Sequence, residues 1–305
     1  MAAGLPFAGS GKIFIVGDSS TPNLGDLTEL FIPDVDGINR FHSTVDAAIS
    51  VCTTDAGDVI LVMPGHAETV TATSIAHDVA GVSVIGMGNG LGRPTFTYGA
   101  AAATITISAA NGLWKNCHFI GNFLDVAAAF TIGAGKDFTL ENNTFVDNSA
   151  SLGFLSIVVT GSTDNDADGL TVRGNYWQSL DVSPNAFISI LAAEKRVMIE
   201  DNDVFMDATN DVGHFITLAA KIVTGIRIRR NRLIVVGSTG ATVGIFLTGS
   251  GTTSKGVVYD NFISSLDTTT ELIATVGTGL VFFRNEYTGV ADKSGYILPA
   301  IDSAA

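Results

Sequence analysis

The sequence predicts an all-β fold, a parallel β-helix, on three observations. An asparagine recurs seven times at nearly constant spacing, apolar residues precede it with period two, and the intervening stretches carry no helix-length period. The asparagines are Asn116, Asn143, Asn175, Asn202, Asn231, Asn261 and Asn285, in "LWKNCHF", "LENNTF", "VRGNYW", "IEDNDV", "IRRNRL", "VYDNFI" and "FFRNEY", and successive separations are 27, 32, 27, 29, 30 and 24 residues.

Three positions before each asparagine stand Leu113, Leu140, Val172, Ile199, Ile228, Val258 and Phe282, all apolar. Two positions earlier come Asn111, Phe138, Leu170, Val197, Ile226, Gly256 and Leu280, mostly apolar, which completes a strand signature. Upstream of these lie "AAFTIGAG", "FLSIVVTG", "AFISILAA", "HFITLAA" and "GIFLTGS", further short apolar stretches. Each unit therefore holds two or three short strands, and a unit of that size buries its apolar face only by stacking on copies of itself. Asparagine suits such a repeat because it tolerates a left-handed bend and because identical amides can hydrogen-bond from coil to coil.

The stretch "GIRIRRNRLIVVG" sets Arg227, Arg229, Arg230 and Arg232 together in a chain of formal net charge −14. Two residues before the asparagines the order is Trp114, Glu141, Arg173, Glu200, Arg229, Tyr259, Phe283; one residue before, it is Lys115, Asn142, Gly174, Asp201, Arg230, Asp260, Arg284. Coils lie ~4.8 Å apart, so these are columns of touching, mostly alternating charges. Arg229 and Arg230 read as rungs of two charge ladders. Arg227 and Arg232 lack such partners and are the candidates for ligand contact.

Before the repeats, "FHSTVDAAISVC" offers Ser43 or Thr44 as the N-cap of a short helix closing one end. "GDVILVMPGHAETV" and "VAGVSVIGMGNGLGRPTFTYG" read as the first two coils. From Gly57 about nine coils fit, a rod of roughly 45 Å. The expected division is an attachment or oligomerisation arm at 1–40, containing "KIFIV" and "LTELFIP", a β-helix with its cap helix at 41–290, and a tail at 291–305.

Composition narrows the function. With 46% hydrophobic and 15% charged residues the chain can bury a large core. A pI near 4.5 speaks against nucleic acid, whose binding rests on clustered Lys and Arg. No apolar run reaches bilayer-spanning length, so no membrane partner is expected, and the N-terminus has no signal-peptide pattern. Cys52 and Cys117 read as buried thiols.

The cap helix, the "GDVILVMPG" coil and the asparagine-bearing coils resemble the single-stranded right-handed parallel β-helix family of pectate lyases and phage tailspikes, over roughly residues 41–290. "GKIFIVGDSS", "LFIPDVDGINRFHSTVDAAI" and "PGHAETV" further resemble tailed-phage virion proteins of that fold. The resemblance implies a right-handed solenoid and a virion location. It also implies either a homotrimeric structural or decoration protein, held to capsid or other virion proteins through the arm, or a spike that binds or degrades polysaccharide.

Fold alone does not choose, so the sites decide. Lyase chemistry of that family needs gathered carboxylates holding calcium beside a basic residue, whereas Glu141, Glu200, Asp201 and Asp260 are separated by arginines or lie opposite Gly174 and Asn142. Asp181, Asp207 and Asp211 differ in phase from the ladder and make a poor hydrolase pair. His66 and Glu68 are too few for a metal and read as a surface loop. In "DNDADG", Asp164, Asp166, Asp168 and Gly169 follow the front half of a calcium loop, though the twelfth position falls on Asn175; the stretch is either a calcium site or a solvated insertion. The expectation is a non-enzymatic virion surface protein with no catalytic residues and no cofactor other than that candidate calcium.

Overall fold

A computed structural model describes residues 11–17, 39–72, 74–180, 184–207, 214–218, 221–236, 247–248, 254–265, 279–289 and 295–296. Three sheets run along them. Sheet A has 11 strands, in spatial order Phe41–His42, Ile13–Val16, Val59–Val62, Ser83–Gly86, Leu113–Lys115, Thr139–Glu141, Thr171–Arg173, Met198–Glu200, Thr224–Arg229, Lys255–Tyr259 and Gly279–Phe283. Sheet B runs from Ala67–Val70 through Glu286–Gly289 and ends on Gly295–Tyr296, the one antiparallel strand pair among the described residues; sheet C runs in seven strands from Ile75–His77 to Leu247–Thr248. A coil visits A, B and C once and lands in parallel register on the next. The result is a parallel β-solenoid of about seven turns with a strand on all three sides, where nine coils were expected.

Period two puts alternate side chains inside, and parallel register puts like on like. Trp114, Leu140, Val172, Ile199, Ile228 and Val258 form one fully buried column under sheet A. Phe96, Phe119 and Phe145 stack under sheet B at ring-centroid distances of 5.4 and 4.9 Å, followed by Trp177, Val204, Leu233 and Ile263. Burial of about 1.5–3 kcal/mol per large side chain is what holds units this small together.

The segment Val45–Ile49 is helical, with Thr44 as N-cap accepting from the Ala47 amide at 3.3 Å; Val45, Ala48 and Ile49 are buried against the first strands. Two further amides tie it down: Asp46 accepts from the Ala76 amide and Glu68 from that of Val45. The strand "KIFIV", expected in a separate arm, instead belongs to the solenoid. Ile13–Val16 pairs in parallel with Val59–Val62, and Phe14 and Val16 are fully buried in the core. Residues 1–10, 18–38 and most of the expected tail lie outside the described residues.

Candidate functional site

The side chains with chemistry gather around sheet A, and the bends at its two edges place them. At the start of the strands, Gly81, Asn111, Asp137, Gly169, Arg196 and Gly225 all have φ between 54 and 80°; at their far ends Asn116, Asn142, Gly174, Asp201, Arg230, Asp260 and Arg284 have φ between 49 and 64°, the first five of them each five residues after a member of the first set. Two left-handed columns therefore flank the sheet. The second column stands one residue before the ladder asparagines, so the ladder residues themselves do not make the bend.

The ladder is a buried amide chain. Asn202 is typical: its Oδ1 accepts from both the backbone amide and Nδ2 of Asn175, at 3.0 and 3.1 Å, while its Nδ2 donates to Val172 O and Asn231 Oδ1, both at 2.9 Å. Asn143, Asn175, Asn231, Asn261 and Asn285 continue the pattern, and all six are 1–2% exposed because their polar groups are met. Asn116 is not one of them. Trp114 pairs with Leu140 and Lys115 with Glu141, so Cys117 takes the ladder slot, its amide donating to Asn143 Oδ1 at 2.9 Å. Asn116 is the bend residue of that coil, donating to Gly86 O and Gly88 O.

That one-residue shift moves Trp114 from the outward face into the core and puts Lys115 in its place. The outward column becomes Lys115, Glu141, Arg173, Glu200, Arg229, Tyr259, Phe283. Glu141 holds Lys115 at 3.0 Å and Arg173 at 2.8 Å; burial alone would raise its carboxyl, but the two cations win and hold it below the ordinary range. Arg229 binds Glu200 and reaches the Tyr259 hydroxyl at 3.3 Å. In the bend column Arg230 grips Asp201 with two bonds, 2.6 and 2.7 Å, and lowers its pKa; Arg284 binds Asp260 at 2.7 Å. Arg232, expected to be free, is paired with Asp203 at 2.8 Å. Arg227 has no partner among the described residues.

The Asp164–Asp168 turn is strapped to the next coil. Asp164 accepts from the Ala193 amide at 2.9 Å, Asp168 from that of Lys195 at 2.7 Å, and Asn165 from Lys195 Nζ at 2.6 Å. Beside it, buried Glu194 accepts from the Ala167 amide with Oε2, and its Oε1 has no hydrogen-bond partner among the described residues. Burial, then Asp168 and Asp166, push that carboxyl up to about 7. Asn175 is held in the ladder. Among the described residues no group of three or more His, Cys, Asp or Glu side chains is placed to hold a metal ion.

His66 and Glu68 are not in a surface loop. Their side chains are 1% and 8% exposed and lie 3.2 Å apart beside the helix N-terminus. Cys117 is buried as expected and Cys52 half-buried, and burial raises both thiols to about 12, which keeps them in the thiol form near neutral pH. Asp181 and Asp211 lie outside the described residues, and Asp207 is exposed. No described helix is long and apolar enough to cross a membrane.

No protein-family model and no curated protein sequence matches the chain. Solved structures do. The crystal structure of Escherichia coli YbhC matches at 11% identity over 94% of this chain and 86% of that one, with a TM-score of 0.54. A rhamnogalacturonan lyase (14% identity, 95% and 90% covered, TM-score 0.35) and the Streptococcus pneumoniae surface protein and adhesin PfbA (12%, 76% and 67%, TM-score 0.34) are more distant. At such identities the likeness establishes a parallel β-helix and nothing of activity.

Proposed function

We propose that the chain is a non-enzymatic structural protein of a phage particle, a capsid-surface (decoration) protein assembled as a homotrimer on a right-handed β-helix. The observation that carries the structural reading is the commitment of the charged side chains. Lys115, Arg173, Arg229, Arg230, Arg232 and Arg284 each hold a carboxylate of a neighbouring coil, which sets the register of a rigid rod and commits Glu141, Glu200, Asp201, Asp203 and Asp260 to holding coils together. The virion location rests on the sequence resemblance.

Self-association is supported at the C-terminal end of sheet A. There Tyr259 and Phe283 stack at 4.8 Å, with Phe283 39% and Val281 58% exposed, while Trp114, at the other end of that column in the sequence reading, is buried. The same planar pair, with Arg284 over Phe283 at 5.6 Å, favours a second reading, a receptor-binding spike that stacks sugar rings. Imaging of particles together with light scattering of the free protein tests the proposal: many trimers on the capsid support it. A monomer in solution with a few copies at the tail, or release of reducing ends from bacterial capsules, overturns it for the spike.

A further inference from the structure

Arg227 is the anomaly of the charged face. It shares a strand with Arg229, but its register neighbours are Met198 and Val257, so the ladder offers it no acid. It lines a groove of about 400 Å³ at the edge of sheet A, together with Asp137, Gly169, Arg196, Met198 and Gly225.

The groove is built by the first left-handed column. Arg196 stands between Gly169 and Gly225, which have no side chains, and it reaches back past Gly169 to Asp137 at 3.1 Å. A Cβ on Gly169 would sit 2.0 Å from Asp137 Oδ1 and 3.3 Å from Arg196 Nη2, so glycine there keeps the passage open. The strand bulges between Thr224 and Ile226, a device that re-aims neighbouring side chains. Arg196 itself has φ +58, a conformation Gly, Asn or Asp takes more cheaply; its side chain, rather than the bend, accounts for an arginine there.

We propose that this groove is an oxyanion-binding site. Arg227 takes a carboxylate, sulfate or phosphate group through its guanidinium fork, and Arg196, 65% exposed, turns from Asp137 to become the second donor. In a chain of net charge −14 the long-range field repels anions, so recognition rests on this local pair, and salt screens the repulsion beyond about 8 Å.

Calorimetric titration of the full chain with sulfate, phosphate and acetate, and with dextran sulfate against neutral dextran, tests the site and separates a free anion from a polymer-borne one. Saturable binding is expected, weakened about tenfold or more by Arg227→Gln and unchanged by Arg232→Gln, whose arginine is already paired with Asp203. Asp137→Asn should tighten it by releasing Arg196. Thermal melts check that each variant is folded. No saturable binding by any probe, or equal affinity in Arg227→Gln, overturns the site, and unchanged affinity in Asp137→Asn removes Arg196 from it.

Discussion

Arg230 has φ +51, where a side chain beyond glycine costs about 1–2 kcal/mol, and its bidentate bond to exposed Asp201 returns only about 0.2–1. The backbone term should therefore dominate. Arg230→Gly is expected to be more stable than Arg230→Ala by about 1 kcal/mol. Arg230→Glu, which sets a third acid between Asp201 and Asp260, should fall below Arg230→Ala by a similar amount, with only that second gap shrinking as salt rises. Urea midpoints at two ionic strengths read both differences, and a salt-independent order with glycine last would refute the balance. Glu194 carries a second residue-scale prediction. Its carboxyl moves from 4.5 to about 7, so the folded state holds a proton that the unfolded chain has released. Stability from this group is then full below about pH 4.5, falls as pH climbs to 7 and is flat beyond, a loss on the order of 2 kcal/mol. Glu194→Gln keeps the amide contact to Ala167 without ionising, so melts across pH 4.5–8 should lose that slope.

At the scale of the element, the buried amide chain sets the coils' phase. Asn143 meets Cys117, Trp114 and Asn175 at once, so Asn143→Ala leaves several buried groups without partners and should cost about 3 kcal/mol or more. Asn116→Ala removes two bonds at a half-buried bend and should cost about 1 to 2. Equal losses would restore Asn116 to the ladder. Six of the seven coils were legible in the sequence because asparagine, bend residue and apolar flank repeat together there. The seventh was misread because Leu113 and Trp114 are both apolar, so period two cannot choose between them, and an asparagine happens to precede the cysteine in the ladder slot. The left-handed pairs would have chosen correctly: Asn111 and Asn116 stand five apart, as do Asp137 and Asn142, or Gly169 and Gly174. The partner of Arg232 was missed for a related reason, since Asp203 lies after its asparagine and the ladder was read only on the side before it. Arg227 stood out in the sequence by its lack of a ladder partner, whereas Glu194 and the groove itself carry no sequence signal; burial creates the one, and the juxtaposition of four coils at Asp137, Gly169, Arg196 and Gly225 creates the other.

For the whole molecule, the strand Ile13–Val16 changes what an attachment arm can be. It covers the edge of Val59–Val62 and buries Phe14, Ile15 and Val16, each worth about 1.5–3 kcal/mol before the entropy of ordering four residues is subtracted. Removing residues 1–10 leaves that strand in place and serves as the reference for a longer deletion. Removing 1–17 should lower stability by on the order of 2–4 kcal/mol and open the sheet A edge to aggregation. A deletion of 1–40 would confound attachment with folding. Because Ile13–Val16 pairs in parallel with both Phe41–His42 and Val59–Val62, a test of attachment keeps that strand and exchanges residues 18–38 for a Gly–Ser linker of about a dozen residues, the length a parallel crossover needs. If that segment docks the protein to a particle or to its neighbours, the exchanged chain should melt with the parent but fail to bind capsids lacking the native protein. Full occupancy with the linker in place would move the docking surface onto the solenoid, where exposed Val281 and Phe283 are the first residues to test.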